Sequence, residues 1–217
     1  MTLVNHTPMT TPRHARFWDR IAKRYARSPI SDEATYQKKL AMTRELLSPD
    51  MELLEFGCGT GSTALVHAPH VKHILATDIS EKMIAIAQQK AGEQKIENVT
   101  FQRAELEDLP NHADSYDVVL GLSILHLVSD RDATISRAYK MLKPGGAFVS
   151  STACLGDNLK IFKLIAPVGQ FFRLLPMLRV FTTAQLVTSL EAAGFAIETQ
   201  WAPGKNKGVF IIARKPH

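Results

Sequence analysis

The chain has 217 residues, 45% of them hydrophobic, which is enough for one domain with a full core. Its formal net charge of +5 leaves a polyanionic partner open. No apolar run reaches the roughly 20 residues of a membrane-spanning helix, and the N-terminus carries no signal-peptide core. Two cysteines, Cys58 and Cys154, are too few for a disulfide framework and lack metal-ligand spacing, so the expectation is a reduced, cytoplasmic protein without a metal site.

In chain order, residues 1–12 read as a disordered lead, punctuated by Pro8 and Pro12. A helical stripe follows, with Phe17, Trp18, Ile21, Ala22 and Tyr25 on one face. A second helix is predicted over residues 32–47 and is stopped by Ser48-Pro49. Strands are expected at 51–56, 71–77, 99–102, 117–122 and 147–152, separated by helices after Gly61, at 81–91 and at 131–142. Asp130 is the expected N-cap of the last of these. Residues 154–181 depart from the alternation. From Leu159 on they carry many large apolar groups among Lys160, Lys163, Arg173 and Arg179, which suggests a lid over a pocket, a membrane-surface contact or core. Thr182 and Gln185 then form a capping box with Phe181 and Leu186 as its hydrophobic staple, and Gly194 ends that helix. Two late strands, 195–201 and 209–213, are joined by a polar turn.

The βα alternation predicts an α/β fold, a doubly wound and mostly parallel sheet with helices on both faces. The late strands form a C-terminal antiparallel pair. The expected division is 1–12 lead and 13–217 single domain, within which 13–48 form a helical cover and 154–181 an insertion.

The most informative stretch is Leu53-Leu54-Glu55-Phe56-Gly57-Cys58-Gly59-Thr60-Gly61-Ser62. A strand runs into glycines at every second position, so backbone N–H groups can approach a ligand closely. A second strand ends at Asp78, where a doubly wound nucleotide site places the carboxylate that holds ribose hydroxyls. The dinucleotide fingerprint would need a glycine at Ser62. The acidic Glu55 just before the loop suits a ligand with a cationic centre.

At these residues the chain resembles the class I S-adenosylmethionine-dependent methyltransferases, in their quinone-methylase-like branch that acts on small molecules. Glu55, Gly57, Gly59 and Gly61 match the family's first motif, and Asp78, Ser80 and Met83 match the second. Glu105-Leu106-Glu107-Asp108-Leu109-Pro110 matches the third. The fourth strand through His126 and the turn Leu142 to Gly146 also match, so the resemblance covers roughly residues 50 to 152.

The resemblance implies S-adenosylmethionine as cofactor, bound by Glu55, Gly57, Cys58, Gly59, Thr60 and Gly61, with Asp78 at its ribose. Glu105 would accept from the adenine amino group, Leu106 would offer a backbone contact, and Ile79 and Met83 would pack on the ring. Leu122 and Ser123 would lie beside the methionine end, with Tyr25 touching it from the helical cover. Cys58 reads equally as a small filler, and Met83 as helix core. His126 is a candidate general base, since its ordinary pKa suits proton transfer near neutrality; its other reading is structural. The implied reaction transfers a methyl group to a small, apolar acceptor, with oxygen, nitrogen or carbon as the methylated atom.

The alternatives are an RNA or protein methyltransferase, a nucleotide-dependent oxidoreductase and a cofactor-binding module without turnover. Arg13, Arg16, Arg20, Lys23, Arg24 and Arg27 concentrate positive charge near the N-terminus. No RNA-binding module is recognisable, and the reading favours a solvated helix face over nucleic-acid binding.

Overall fold

The computed structural model describes residues 13–110, 113–157, 178–204 and 207–217. The expected lead and most of the 154–181 insertion lie outside the described residues. Two helices open the fold, α1 (Arg13–Arg27) and α2 (Glu33–Arg44). Then come β1 (Glu52–Phe56), α3 (Ser62–His67), β2 (His73–Asp78), α4 (Glu81–Gln94), β3 (Val99–Arg103) and β4 (Tyr116–Leu122). The chain continues with α5 (Arg131–Met141), β5 (Leu142–Thr152), α6 (Thr183–Ala192), β6 (Ala196–Trp201) and β7 (Val209–Arg214).

The seven strands form one sheet in the order β3-β2-β1-β4-β5-β7-β6. β1 pairs in parallel with β2 and β4, and β3 and β5 extend the parallel part outward. β7 inserts antiparallel between β5 and β6. The strand order reverses between β1 and β4, where a doubly wound sheet opens its ligand crevice. Alternate residues feed two cores. Leu53, Val118, Leu120 and Val149 pack with Leu65 of α3 and Ile84 and Ala87 of α4. Leu54, Val119, Phe148 and Ile211 pack with Ile135 and Met141 of α5 and Leu186 and Leu190 of α6. Burying both faces is what makes β1 and β4 near-continuous apolar runs.

The caps agree with the sequence. Asp130 accepts from Asp132 N and Ala133 N, and Thr182 and Gln185 close a full capping box. Phe181 and Leu186 are both buried in the same core, as a staple requires. Several boundaries moved, and α4 runs on to Gln94. β2 starts at His73 rather than 71 because residues 68–70 form a tight turn, and Asn98 Nδ2 donates to the Ala68 and Val71 carbonyls across it. α2 ends at Arg44, since Leu46 and Leu47 N–H groups turn back three residues to Thr43 and Arg44 carbonyls. β5 starts at Leu142, ahead of the Pro144-Gly145-Gly146 turn, and a register shift between Tyr116 and Val118 absorbs the irregular pairing.

Candidate active site

The glycine loop leaves β1 at the centre of the sheet. Cys58 N donates to the Thr77 carbonyl of β2, and Gly61 N donates to Cys58 O, so the loop turns tightly over the strand ends. Gly59 sits in the left-handed region (φ +55°), and the nearest atom to a side chain built there is a Tyr25 ring carbon at 3.8 Å. Its backbone therefore faces open space. Asp78, ending β2, accepts from Gly59 N at 2.9 Å through Oδ2 and from Ser80 N at 2.8 Å through Oδ1. Each oxygen keeps a further lone pair for a ligand hydroxyl. Burial raises the Asp78 carboxyl above its ordinary value, opposed by those two backbone hydrogen bonds.

Glu55 is the more unusual carboxyl. It is 3% exposed, and its Oε2 has no hydrogen-bond partner among the described residues. Burial pushes its pKa up to about 8, opposed by a hydrogen bond from the Ala64 backbone and assisted by the nearby Asp78. An unsatisfied buried acid directly beneath the glycine loop is a place for a cation.

Two cavities meet over this loop, sharing Tyr25, Gly57, Gly59, Leu122 and Ser123 as walls. The first, about 160 Å³, is lined by Asp78, Ile79, Met83, Glu105 and Leu106, with His14 and Trp18 of α1 and Ile124, Leu127 and Val128 after β4. The Glu105 carboxylate makes no hydrogen bond among the described residues, whereas its neighbour Glu107 accepts from Thr134 Oγ1 at 2.7 Å. Arg137 holds the loop by donating to the Leu106 and Leu109 carbonyls. The second cavity, about 580 Å³, is lined by Glu55, Cys58, Thr60, Tyr36, Lys39, Thr43, Ser151 and Lys207. Ser123, at the end of β4, holds a left-handed backbone (φ +57°) while its N–H donates to Ser151 O at 2.7 Å. Such strain in a non-glycine residue is characteristic of site walls.

Of the residues singled out from sequence, Tyr25, Glu55, Gly57, Cys58, Gly59, Thr60, Asp78, Ile79, Met83, Glu105, Leu106, Leu122 and Ser123 all line this double cleft. Gly61 and His126 do not. Gly61 starts α3, and a side chain there would meet Phe101 at 2.7 Å, so its role is close helix packing. His126 offers its carbonyl to Arg179 N, its buried Nδ1 has no partner among the described residues, and burial lowers its pKa to about 4. Cys58 is buried, which raises its thiol pKa far above the ordinary value and suits an inert filler.

Sequence reasoning missed His14, Trp18, Lys39, Ser151 and Lys207. His14 and Trp18 share a helix face with Tyr25, a spacing that the composition of α1 does carry; the others meet only through the fold. α1 is anchored by Asp19, which accepts from Ser80 Oγ at 2.6 Å and from Lys82 N at 3.1 Å at the head of α4. Its Arg16, Arg20, Lys23, Arg24 and Arg27 are exposed to solvent. Among the described residues no helix is long and apolar enough to cross a membrane, and no group of His, Cys, Asp and Glu could hold a metal ion.

Residues 53–146 match the methyltransferase domain family. The chain is 33% identical over 145 residues to malonyl-[acyl-carrier protein] O-methyltransferase of Bacillus cytotoxicus, covering 61% of this chain and 49% of that protein. It is 28% identical over 151 residues to ubiquinone biosynthesis O-methyltransferase of Coxiella burnetii, covering 69% of this chain and 60% of the relative. The chain thus spans less than two thirds of the length of these curated relatives. The crystal structure of the YcgJ protein of Bacillus subtilis superposes with a TM-score of 0.69 at 19% identity, covering 83% of this chain and 99% of that one, a likeness of fold. Residues 53–146 thus carry a methyltransferase domain, and the glycine loop set against Asp78 at the switch point of the sheet lies where the resemblance to class I S-adenosylmethionine-dependent methyltransferases puts the cofactor.

Proposed function

We propose that this protein transfers the methyl group of S-adenosylmethionine to a small-molecule acceptor. The observation that carries the reading is the buried Glu55 carboxyl, whose Oε2 has no hydrogen-bond partner among the described residues, under a glycine loop whose Gly59 N–H is fixed by Asp78. A cationic amino-acid tail would satisfy Glu55, and a ribose would take the free lone pairs of Asp78. Ile79, Met83 and Leu106 would sandwich the adenine, and the unengaged Glu105 would accept from its amino group. Tyr25 and Tyr36, on the two N-terminal helices, would cover the tail, with Leu122 and Ser123 beneath it. Ile124, Leu127 and Val128 give the acceptor an apolar wall, which suits a lipophilic body.

When bound, the cofactor supplies an electrophilic methyl with a good leaving group. The protein's own task is then alignment of the acceptor and exclusion of water, worth several kcal/mol. His126 lies outside the cleft walls and stays neutral down to about pH 4, so the proposal does not route a proton through it. The reading includes a cytoplasmic setting, in keeping with two unpaired, buried cysteines. Methyl transfer screened by mass spectrometry against phenols, quinols, amines and carboxylic acids tests the proposal. At least one class is expected to gain a methyl group in a cofactor-dependent way, and cofactor binding without turnover on any class would instead indicate a silent binding module.

A further inference from the structure

Lys39 is the odd charge in the larger cavity. Its ammonium reaches from α2 to Ser151 at the end of β5, donating to Ser151 Oγ at 2.7 Å. The partner is a neutral hydroxyl, and no ion pair to Lys39 forms among the described residues. The acid that acts on it electrostatically, Asp32, is already engaged, accepting from Lys207 Nζ at 2.5 Å and from Thr35 N at 3.2 Å. Burial lowers the Lys39 pKa, with Asp32 opposing. A partly desolvated cation without a counter-ion, facing a cavity, is poised for an anion.

The hydrogen-bond chemistry narrows the class. Because Ser151 Oγ accepts from Lys39, its own O–H remains free to donate. One ammonium N–H and one hydroxyl then stand side by side, a pair of donors that matches the two oxygens of a carboxylate. The position narrows the source. Ser151 pairs with Leu122 across β4 and β5, whereas Glu55 and the glycine loop belong to β1 on the other side of β4. Two strand spacings, about 10 Å, therefore separate the two charged walls.

Resting on the methyltransferase reading above, we propose that Lys39 and Ser151 form a carboxylate-binding subsite for the methyl acceptor. The acceptor is thus a small carboxylic acid whose body lies toward the apolar wall and whose charged end is held at β5. The lysine sets specificity by leaving a partly desolvated cation without a counter-ion when a neutral acceptor enters.

The test follows the lysine side-chain NMR signal that disappears in K39M, in protein saturated with S-adenosylhomocysteine. Benzoate should shift this signal saturably, and benzamide should not. S151A should weaken the benzoate response by about tenfold or more, as loss of a hydrogen bond to a charged group does. Equal responses to benzoate and benzamide, or no response to benzoate, would overturn the proposal. Calorimetry on K39M checks the other source of a carboxylate. Affinity for S-adenosylhomocysteine is expected to stay at the parental value. A loss there, with affinity for methylthioadenosine unchanged, would assign the ammonium to the cofactor's own carboxylate and overturn the acceptor subsite. If the parent binds no S-adenosylhomocysteine, the methyltransferase reading fails, while the benzoate titration of unloaded protein still decides the subsite.

Discussion

Glu55 shows how one residue links fold to binding. Its pKa of about 8 means that the carboxyl is protonated near neutrality, because ionising it in a buried site costs more than its surroundings return. A cation arriving beside it reverses that balance. Binding of S-adenosylmethionine at pH 7 is therefore expected to release up to about one proton, and affinity should rise with pH until about 8. Calorimetry in buffers of differing ionisation enthalpy reads this directly. Glu55→Gln should abolish the release, and a parent that binds without proton release would contradict the role given to Glu55. His67 carries a different signal. Both its ring nitrogens are buried without partners among the described residues, and burial, with His70 and Arg44 nearby, lowers its pKa from 6.5 to about 4. The folded state thus resists protonation that the unfolded state accepts. Stability is unaffected above pH 6.5 and is lost as pH falls from there to about 4, by roughly 3 kcal/mol for this group. Denaturant melts of His67→Leu should lack this component across that window, so the difference between parent and variant should shrink or change sign toward low pH.

At the scale of elements, α6 was legible because its signals are local. Thr182 and Gln185 satisfy each other's backbone partners within four residues, and Phe181 packs with Leu186 across the same turn. Thr182→Ala is expected to cost about 1 kcal/mol, seen as an earlier thermal midpoint without change in cofactor affinity. An unchanged midpoint would mean that tertiary packing alone fixes this helix. The strands and the glycine loop were legible for a similar reason, since their pattern of apolar run, small residues and acid recurs within about 25 residues. Cleft walls supplied by distant segments were not. Lys39 and Ser151 are 112 positions apart, and they meet where α2 reaches the end of β5 in the fold. Boundaries also slipped where side chains override local pattern, as when Asn98 clamps the turn before β2. Gly61 belonged to the motif by spacing, yet its neighbours Phe101 and Ala87 show that it serves packing.

At the scale of the whole molecule, the central claim is that the crevice between β1 and β4 is built for a sulfonium nucleoside rather than a dinucleotide. Ser62 stands where a third glycine would expose the helix to a pyrophosphate, and a cationic tail rather than an anion would draw the acid beneath the loop into its ionised form. The antiparallel β6 and β7 close the sheet beyond β5. Calorimetry with S-adenosylmethionine and with NAD(P), on the parent and on Asp78→Ala, is the most direct test. The parent should bind S-adenosylmethionine and not NAD(P). Asp78→Ala, still folded, should lose about 1.5–3 kcal/mol, roughly 10- to 150-fold in affinity, as a charged hydrogen-bond partner of the ribose is removed. Tight binding of NAD(P), or a folded Asp78→Ala protein with parental affinity for S-adenosylmethionine, would contradict the account.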